Sequence, residues 1–243
     1  MKRFNVSKQT VLLFLVAVMG VTSVLMNQLA GFRPFYTEGA AGVWRAISFS
    51  TIAISWIPLL ISDILADRFS KKIAISIPAF IFLFQGIIWA GAILAGSTSE
   101  SWQNLWAGML GNYMGLFANV FVFLTLKKII GTKEWYTLAT VAIVSTVFGQ
   151  FADNLFYMAF SPFQWAGNVL EGGNLVGFGT AWRSVANWEA GGRLSVIGWD
   201  GFFLKSAFEI GIEALVYPLT LLVIRQIEKL PEYISNDGTA TIQ

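Results

Sequence analysis

Cysteine and histidine are both missing from the 243-residue chain. Their absence removes disulfides, thiol nucleophiles, zinc and haem ligation and histidine proton relays together. Any proton-coupled step is left to carboxylates, lysine or tyrosine. Charge is scarce as well. Asp, Glu, Lys and Arg make up 12% of the residues, half of the roughly 25% with which a soluble domain wets its surface. Sixteen basic and fourteen acidic residues leave a net charge of +2, which carries no signal for nucleic acid. A Walker A phosphate loop is absent, so ATP hydrolysis through that device is excluded. A Gly-x-Ser-x-Gly nucleophile with its base is also missing. Neither enzyme chemistry, a metal nor a cofactor is expected.

Apolar residues make up 56% of the chain, and the mean hydropathy is +0.64. A chain of this size with so little charge would expose more apolar surface than water tolerates, so most of it is expected in lipid. Crossing a bilayer takes about 20 mostly apolar residues. Six stretches qualify: 10–30, 43–62, 73–95, 108–126, 136–160 and 201–224. The first is too long for the apolar core of a cleaved leader, roughly 7–15 residues, and reads as a retained helix. The fold expected is all-α, a single six-helix membrane domain over 1–243. Pro58, Pro78 and Pro218 fall inside spans, which helix bundles in lipid tolerate. No long internal repeat of the inverted-transporter kind is visible.

Orientation follows from the basic residues. Lys2, Arg3, Lys8, Arg68, Lys71, Lys72, Lys127, Lys128, Lys133, Arg225 and Lys229 fall on one side of the predicted bundle. Only Arg33, Arg45, Arg183 and Arg193 fall on the other. An even number of spans then puts both termini in the cytosol. The 161–200 connection is long and rich in Gly and Trp, which suggests an interfacial segment or a lid over an outward-facing site. The tail 236–243 is polar and expected to be mobile.

Ionisable groups inside lipid are costly, and by default they face a cavity or a partner. Gln150, Asp153, Asn154 and Tyr157 follow an i, i+3, i+4, i+7 pattern, which places them on one face of the fifth helix. Lys205, Glu209 and Glu213 form a second stripe in the sixth, continued by Tyr217 and Thr220. At 1.5 Å per residue, Glu213 lies near mid-membrane, Glu209 about 5 Å, Asp153 roughly 8 Å and Lys205 about 11 Å outward. Three carboxyl groups around one lysine leave surplus negative charge, which protonation or a ligand must answer. Asn112, Gly115 and Asn119 share a face of the fourth helix, and Gly111 with Gly115 makes a small-xxx-small pair suited to close packing. The charged loop after the second span reads first as a solvated one; the alternative is that Asp63 caps the helix or pairs with Arg68 and holds an inner gate shut.

The run Phe148-Gly149-Gln150-Phe151-Ala152-Asp153-Asn154-Leu155-Phe156-Tyr157 resembles the fifth-helix signature of the queuosine precursor transporters, also called the vitamin uptake transporter family. Residues 58–69, from Pro58 through Asp63 and Asp67 to Phe69, are similar to that family's second-to-third loop. The Lys205, Glu209, Pro218 pattern resembles its last helix. The resemblance implies import of a 7-deazaguanine precursor of queuosine, in cyano or aminomethyl form, across a prokaryotic plasma membrane. A carboxylate from Asp153, Glu209 or Glu213 would accept the adjacent N–H donors of the guanine-like edge. Gln150 or Asn154 would meet the ring carbonyl.

A second possibility is a substrate-binding subunit of an energy-coupling-factor vitamin transporter. Such subunits normally present an alanine-xxx-alanine docking face on the first helix; here Ala17 and Gly20 stand at the wrong separation. The partners expected are a small planar solute (a 7-deazaguanine or a vitamin) and the lipid bilayer, with an energy-coupling module or a homo-oligomer left open.

Overall fold

A computed structural model of the chain describes residues 6–29, 53–96, 102–160, 199–231, 233–234 and 240–241, with side chains in 6–26, 53–96, 105–157 and 206–231. Six α-helices stand in order among them: α1 (Lys8–Leu29), α2 (Trp56–Arg68), α3 (Lys71–Leu94), α4 (Trp102–Ile130), α5 (Trp135–Phe160) and α6 (Trp199–Glu228). All but α2 are long and apolar enough to cross a membrane, as a multi-pass membrane protein requires. Within those five, fewer than half of the span residues are buried by protein. Leu13, Phe14, Ile87, Phe121 and Leu215 are exposed, as side chains solvated by lipid tails are.

The short helix is the buried one. Every residue of α2 from Pro58 to Ala66 is buried, and α2 touches each of the other five helices. A helix apolar on all sides belongs in the middle of a bundle. Leu59, Leu60, Ile64 and Leu65 accordingly form the core with Met19, Ile77, Ile81, Leu116, Phe123, Val141 and Ile224. The sequence placed the second span at 43–62, of which 43–52 lie outside the described residues. Past Ser62 the helix continues to Arg68 instead of giving way to a loop. Pro58 is its third residue, where the backbone N–H has no helical acceptor in any case.

Helix ends are set by local chemistry. Ser70 caps α3 by accepting from the Ile73 amide at 3.3 Å. Gly96 and Gly131 follow α3 and α4 with φ of 63° and 82°, the left-handed turn-off that glycine adopts freely. The Lys8 amide donates to the Pro231 carbonyl at 2.9 Å. The start of α1 and the chain after α6 therefore share one end of the bundle, with Arg68, Lys71 and Lys127. The expected mobile tail is partly engaged: 240–241 pair antiparallel with 233–234, Tyr233 opposite Thr241. The long 161–200 connection, apart from the first residues of α6, lies outside the described residues, as does its expected role as a lid.

The most extensive helix contact joins α4 to α5, and glycine makes it possible. A Cβ on Gly115 would stand 2.8 Å from Asp153 Cβ and 3.0 Å from the Gly149 carbonyl oxygen; one on Gly149 would meet Asn119 Cβ at 2.9 Å. The sequence expectation of close small-xxx-small packing is met, with α5 as the partner. A methyl on Gly91, by contrast, would have nothing within 4 Å. Gly115→Ala is therefore expected to destabilise the protein in detergent by about 1–3 kcal/mol through overpacking. Gly91→Ala should be neutral or stabilising by up to about 1 kcal/mol, from helix propensity alone. Thermal midpoints of the purified variants decide it, and equal shifts would contradict the seam.

Candidate functional site

Buried polar side chains form a ladder through the bundle where α2, α4, α5 and α6 meet. Counting upward from the end that carries Lys127, the lowest rung is an ion cluster around Asp67 on the last turn of α2. Lys127 Nζ lies 3.0 Å from Asp67 Oδ1, Arg68 Nε lies 2.9 Å from Asp67 Oδ2, and Thr132 donates to Asp67 Oδ1 at 2.8 Å. Lys127 also donates to the Asp67 carbonyl at 2.6 Å, capping the C-terminus of α2 with a cation as the helix dipole favours. Arg68 reaches Glu228 of α6 at 3.1 Å. The cluster thus ties the ends of α2, α4 and α6 together.

Sequence reasoning offered Arg68 as one alternative partner for Asp63 beside a solvated loop, and the structure pairs Arg68 with Asp67 and Glu228 instead. Five helical residues separate the two by about 140° around the axis, so Asp63 cannot share a face with Arg68. Asp63 is instead fully buried one turn further in. Asn119 Nδ2 donates to Asp63 Oδ1 at 2.8 Å, as well as to Ser62 Oγ and the Leu59 carbonyl. Ser145 of α5 donates to the same Asp63 oxygen at 3.3 Å.

Above this rung, Leu60, Ile143, Thr146, Ile210, Glu213, Ala214 and Tyr217 line a pocket of about 210 Å³, including the space by which it opens outward. Tyr217 closes one side by donating to the Leu138 carbonyl at 3.1 Å. Gln150 Nε2 then donates to Glu213 Oε1 at 2.8 Å. One turn higher, Asn154 Nδ2 donates to Glu209 Oε2 at 3.0 Å and to Ser206 Oγ at 2.9 Å. Gln150, Asn154, Ser206, Glu209 and Glu213 are all buried. Two acids of α6 are thus each held by an amide of α5. Among the described residues, no group of three or more acids stands close enough to hold a metal ion.

Comparison with protein families, characterised proteins and solved structures finds no match to this chain. What the site can do follows from its own chemistry.

Of the side chains singled out in the sequence, the structure joins Gln150 to Glu213 and Asn154 to Glu209. Asp153 and Tyr157 belong to the same α5 stripe but stand against α4: a Cβ on Gly111 would come within 2.7 Å of Asp153 Oδ1 and 3.1 Å of Tyr157 Cβ. An i, i+3, i+4, i+7 stripe spans an arc of about 100°, wide enough to serve two neighbouring helices. Asn112 takes part in neither rung. It donates to Gln85 Oε1 at 3.3 Å, and Gln85 donates to the Ser23 carbonyl at 2.7 Å, linking α4, α3 and α1. Asn119 belongs to the Asp63 rung, and Lys205 lies outside the described side chains.

Residues that sequence reasoning passed over are Ser145, Thr146 and Ser206. Thr146 was legible as the next i−4 position below Gln150 and Asn154; Ser145 and Ser206 carry no signal beyond being hydroxyls in a span. Because Asn119 is the shorter-range donor to a fully buried carboxyl, Asn119→Leu is expected to cost about 1–3 kcal/mol, the range for stranding a buried acceptor. The measurement is the midpoint of unfolding in detergent. An unchanged midpoint would mean that Asp63 finds its donors elsewhere.

Proposed function

We propose that this protein is a membrane carrier that imports a small planar solute of the 7-deazaguanine class, with six spans and both termini in the cytosol. The observation that carries the proposal is the pairing of Glu209 and Glu213 with Asn154 and Gln150 at buried positions between two apolar helices. Each pair offers a carboxyl and an amide side by side. A guanine-like edge presents adjacent N–H donors and a ring carbonyl, and those two groups are their complements. The sequence resemblance to queuosine precursor transporters points to the same solute class. Cytosolic termini are supported by the 11 basic residues gathered on one side and by the contact between Lys8 and Pro231.

An inner seal is present in the Asp67, Lys127, Arg68 and Glu228 cluster. The adjoining pocket has space for roughly one water molecule, far below the roughly 300 Å³ at which small-molecule sites begin. Loading a purine-sized solute therefore requires α6 to part from α2 and α5. The amide–acid contacts suit such a motion because their donors are neutral, and such a bond has a net worth of about 0.5–1.5 kcal/mol or somewhat more to a charged partner. On the first helix Gly20 packs against Phe84 and Ile81 of α3, whereas Ala17 is exposed.

Purified protein screened against nucleobases and vitamins tests the solute class. At 100 times its dissociation constant a ligand adds about 2.7 kcal/mol of stability, visible as a raised melting temperature with 7-cyano-7-deazaguanine and absent in Glu209→Gln. In cells, Glu209→Gln is expected to abolish uptake with expression intact. Normal uptake by Glu209→Gln would overturn the assignment of the site.

A further inference from the structure

Asp63 does not belong to the α5–α6 acid–amide pairs, yet it is the most deeply enclosed carboxyl among the described residues. Its residue exposure is 0%, as is that of Asn119 and of Ser145. Its donors, Asn119 and Ser145, are both neutral, and no Lys or Arg lies within ion-pair reach of it among the described residues. Lys127 and Arg68 are committed to Asp67. Among the described residues, oxygen Oδ2 of Asp63 has no hydrogen-bond partner, and neither has Oε2 of Glu213. A bare carboxylate held away from water by neutral donors alone is costly, and the described residues supply no cation to offset it.

We infer that Asp63 is a proton-binding site, and that a proton passing from Glu213 to Asp63 drives solute import. Geometry supports the transfer. Glu213 lines the pocket between α2, α5 and α6, which has space for roughly one water molecule. Leu60 on its wall lies one turn before Asp63, and Thr146 is the neighbour of Ser145, the donor to Asp63. Asp63 is not on the pocket wall itself; when Leu60 and Thr146 part, a water there takes the proton from the Glu213 carboxyl, leaving a carboxylate, and gives one to Asp63 Oδ2. Asp63 later releases it toward the end of the bundle that carries Asp67.

A sodium ion fits less well. Asp63 Oδ1, Ser62 Oγ and the Leu59 carbonyl converge on the amide nitrogen of Asn119, so a donor already occupies the place a metal ion would take. The groups bearing on Asp63 electrostatically are Asp67 on its own helix and Glu213 and Tyr217 on α6. The side chains that touch it from α4 and α5, Asn119 and Ser145, do not titrate. The proton site stands on this geometry alone; its coupling to import rests on the proposed carrier function.

Both parts are tested with the full chain in proteoliposomes. Infrared spectra across pH should show a protonated-carboxyl C=O band that titrates in the wild type and is lost in Asp63→Asn. Ser145→Ala, which removes one donor, should move the midpoint of that band without abolishing it. With 7-cyano-7-deazaguanine as probe, a one-unit inward pH gradient should accumulate solute about tenfold at one proton per solute. Asp63→Asn should lose that accumulation while still exchanging labelled for unlabelled solute at equilibrium. An unaltered infrared band in Asp63→Asn would overturn the proton site. Full accumulation in Asp63→Asn, or accumulation that follows a sodium gradient instead, would overturn the coupling. A band that behaves as expected in a protein that moves no solute would uphold the proton site and remove the carrier function.

Discussion

Asn119 gives its amide to Asp63 and Ser62 in the middle of a helix that protein surrounds on every side. Much of the bundle is arranged around that contact. A carboxyl buried in lipid-embedded protein must find its donors on neighbouring helices, because no water is at hand to replace them. Asp63 therefore fixes the rotation of α2 relative to α4, through Asn119, and relative to α5, through Ser145. With α2 held at that angle, Leu59 and Leu60 stand toward the α5–α6 side, where Leu59 touches Gly149 and Leu60 lines the pocket.

The glycine seam supplies the second constraint. Gly111, Gly115 and Gly149 let α4 and α5 approach until backbone meets backbone. An approach this close leaves no freedom for α5 to roll. It turns Asp153 and Tyr157 toward α4 while Gln150 and Asn154 reach α6. The α5–α6 contact is of a different kind, made by long side chains across a less extensive interface. One side of α5 is thus locked by shape, the other by separable hydrogen bonds.

The helices themselves were legible in the sequence because an apolar run of membrane length is hard to accommodate anywhere but in lipid. Span ends at 10–30, 73–95 and 136–160 fall within a few residues of α1, α3 and α5. The failure came at α2, where Asp63, Asp67 and Arg68 read as the start of a loop. Hydropathy cannot register that Asn119, 56 residues later, makes a buried Asp63 tolerable. The candidate site divides the same way. Spacing put Gln150 and Asn154 on one face, but it could not tell which of two neighbours that arc would meet. That choice depends on glycines 111 and 115 in another helix, a long-range fact with no local signature.

The composition of the ladder changes along its length, and on the proposed carrier function each level has a use. At the Lys127 end the contacts are ion pairs gathered on Asp67, reinforced by hydrogen bonds from Thr132 and Lys127. Partners of full charge near water give a contact that can break and reform with modest loss, since exposed pairs contribute little net stability. Deeper in, the acids meet only amides and hydroxyls among their described partners. A buried ion pair there would be strongly self-satisfied, and separating it would leave two charges stranded. An acid held by an amide leaves one neutral group and one carboxyl when it opens. A proton can answer that carboxyl at Asp63, and on the proposed function the N–H edge of a planar solute answers it at Glu209. At Asp63 and Glu213, the neutral character of the described donors is what leaves a carboxyl oxygen for a mobile partner.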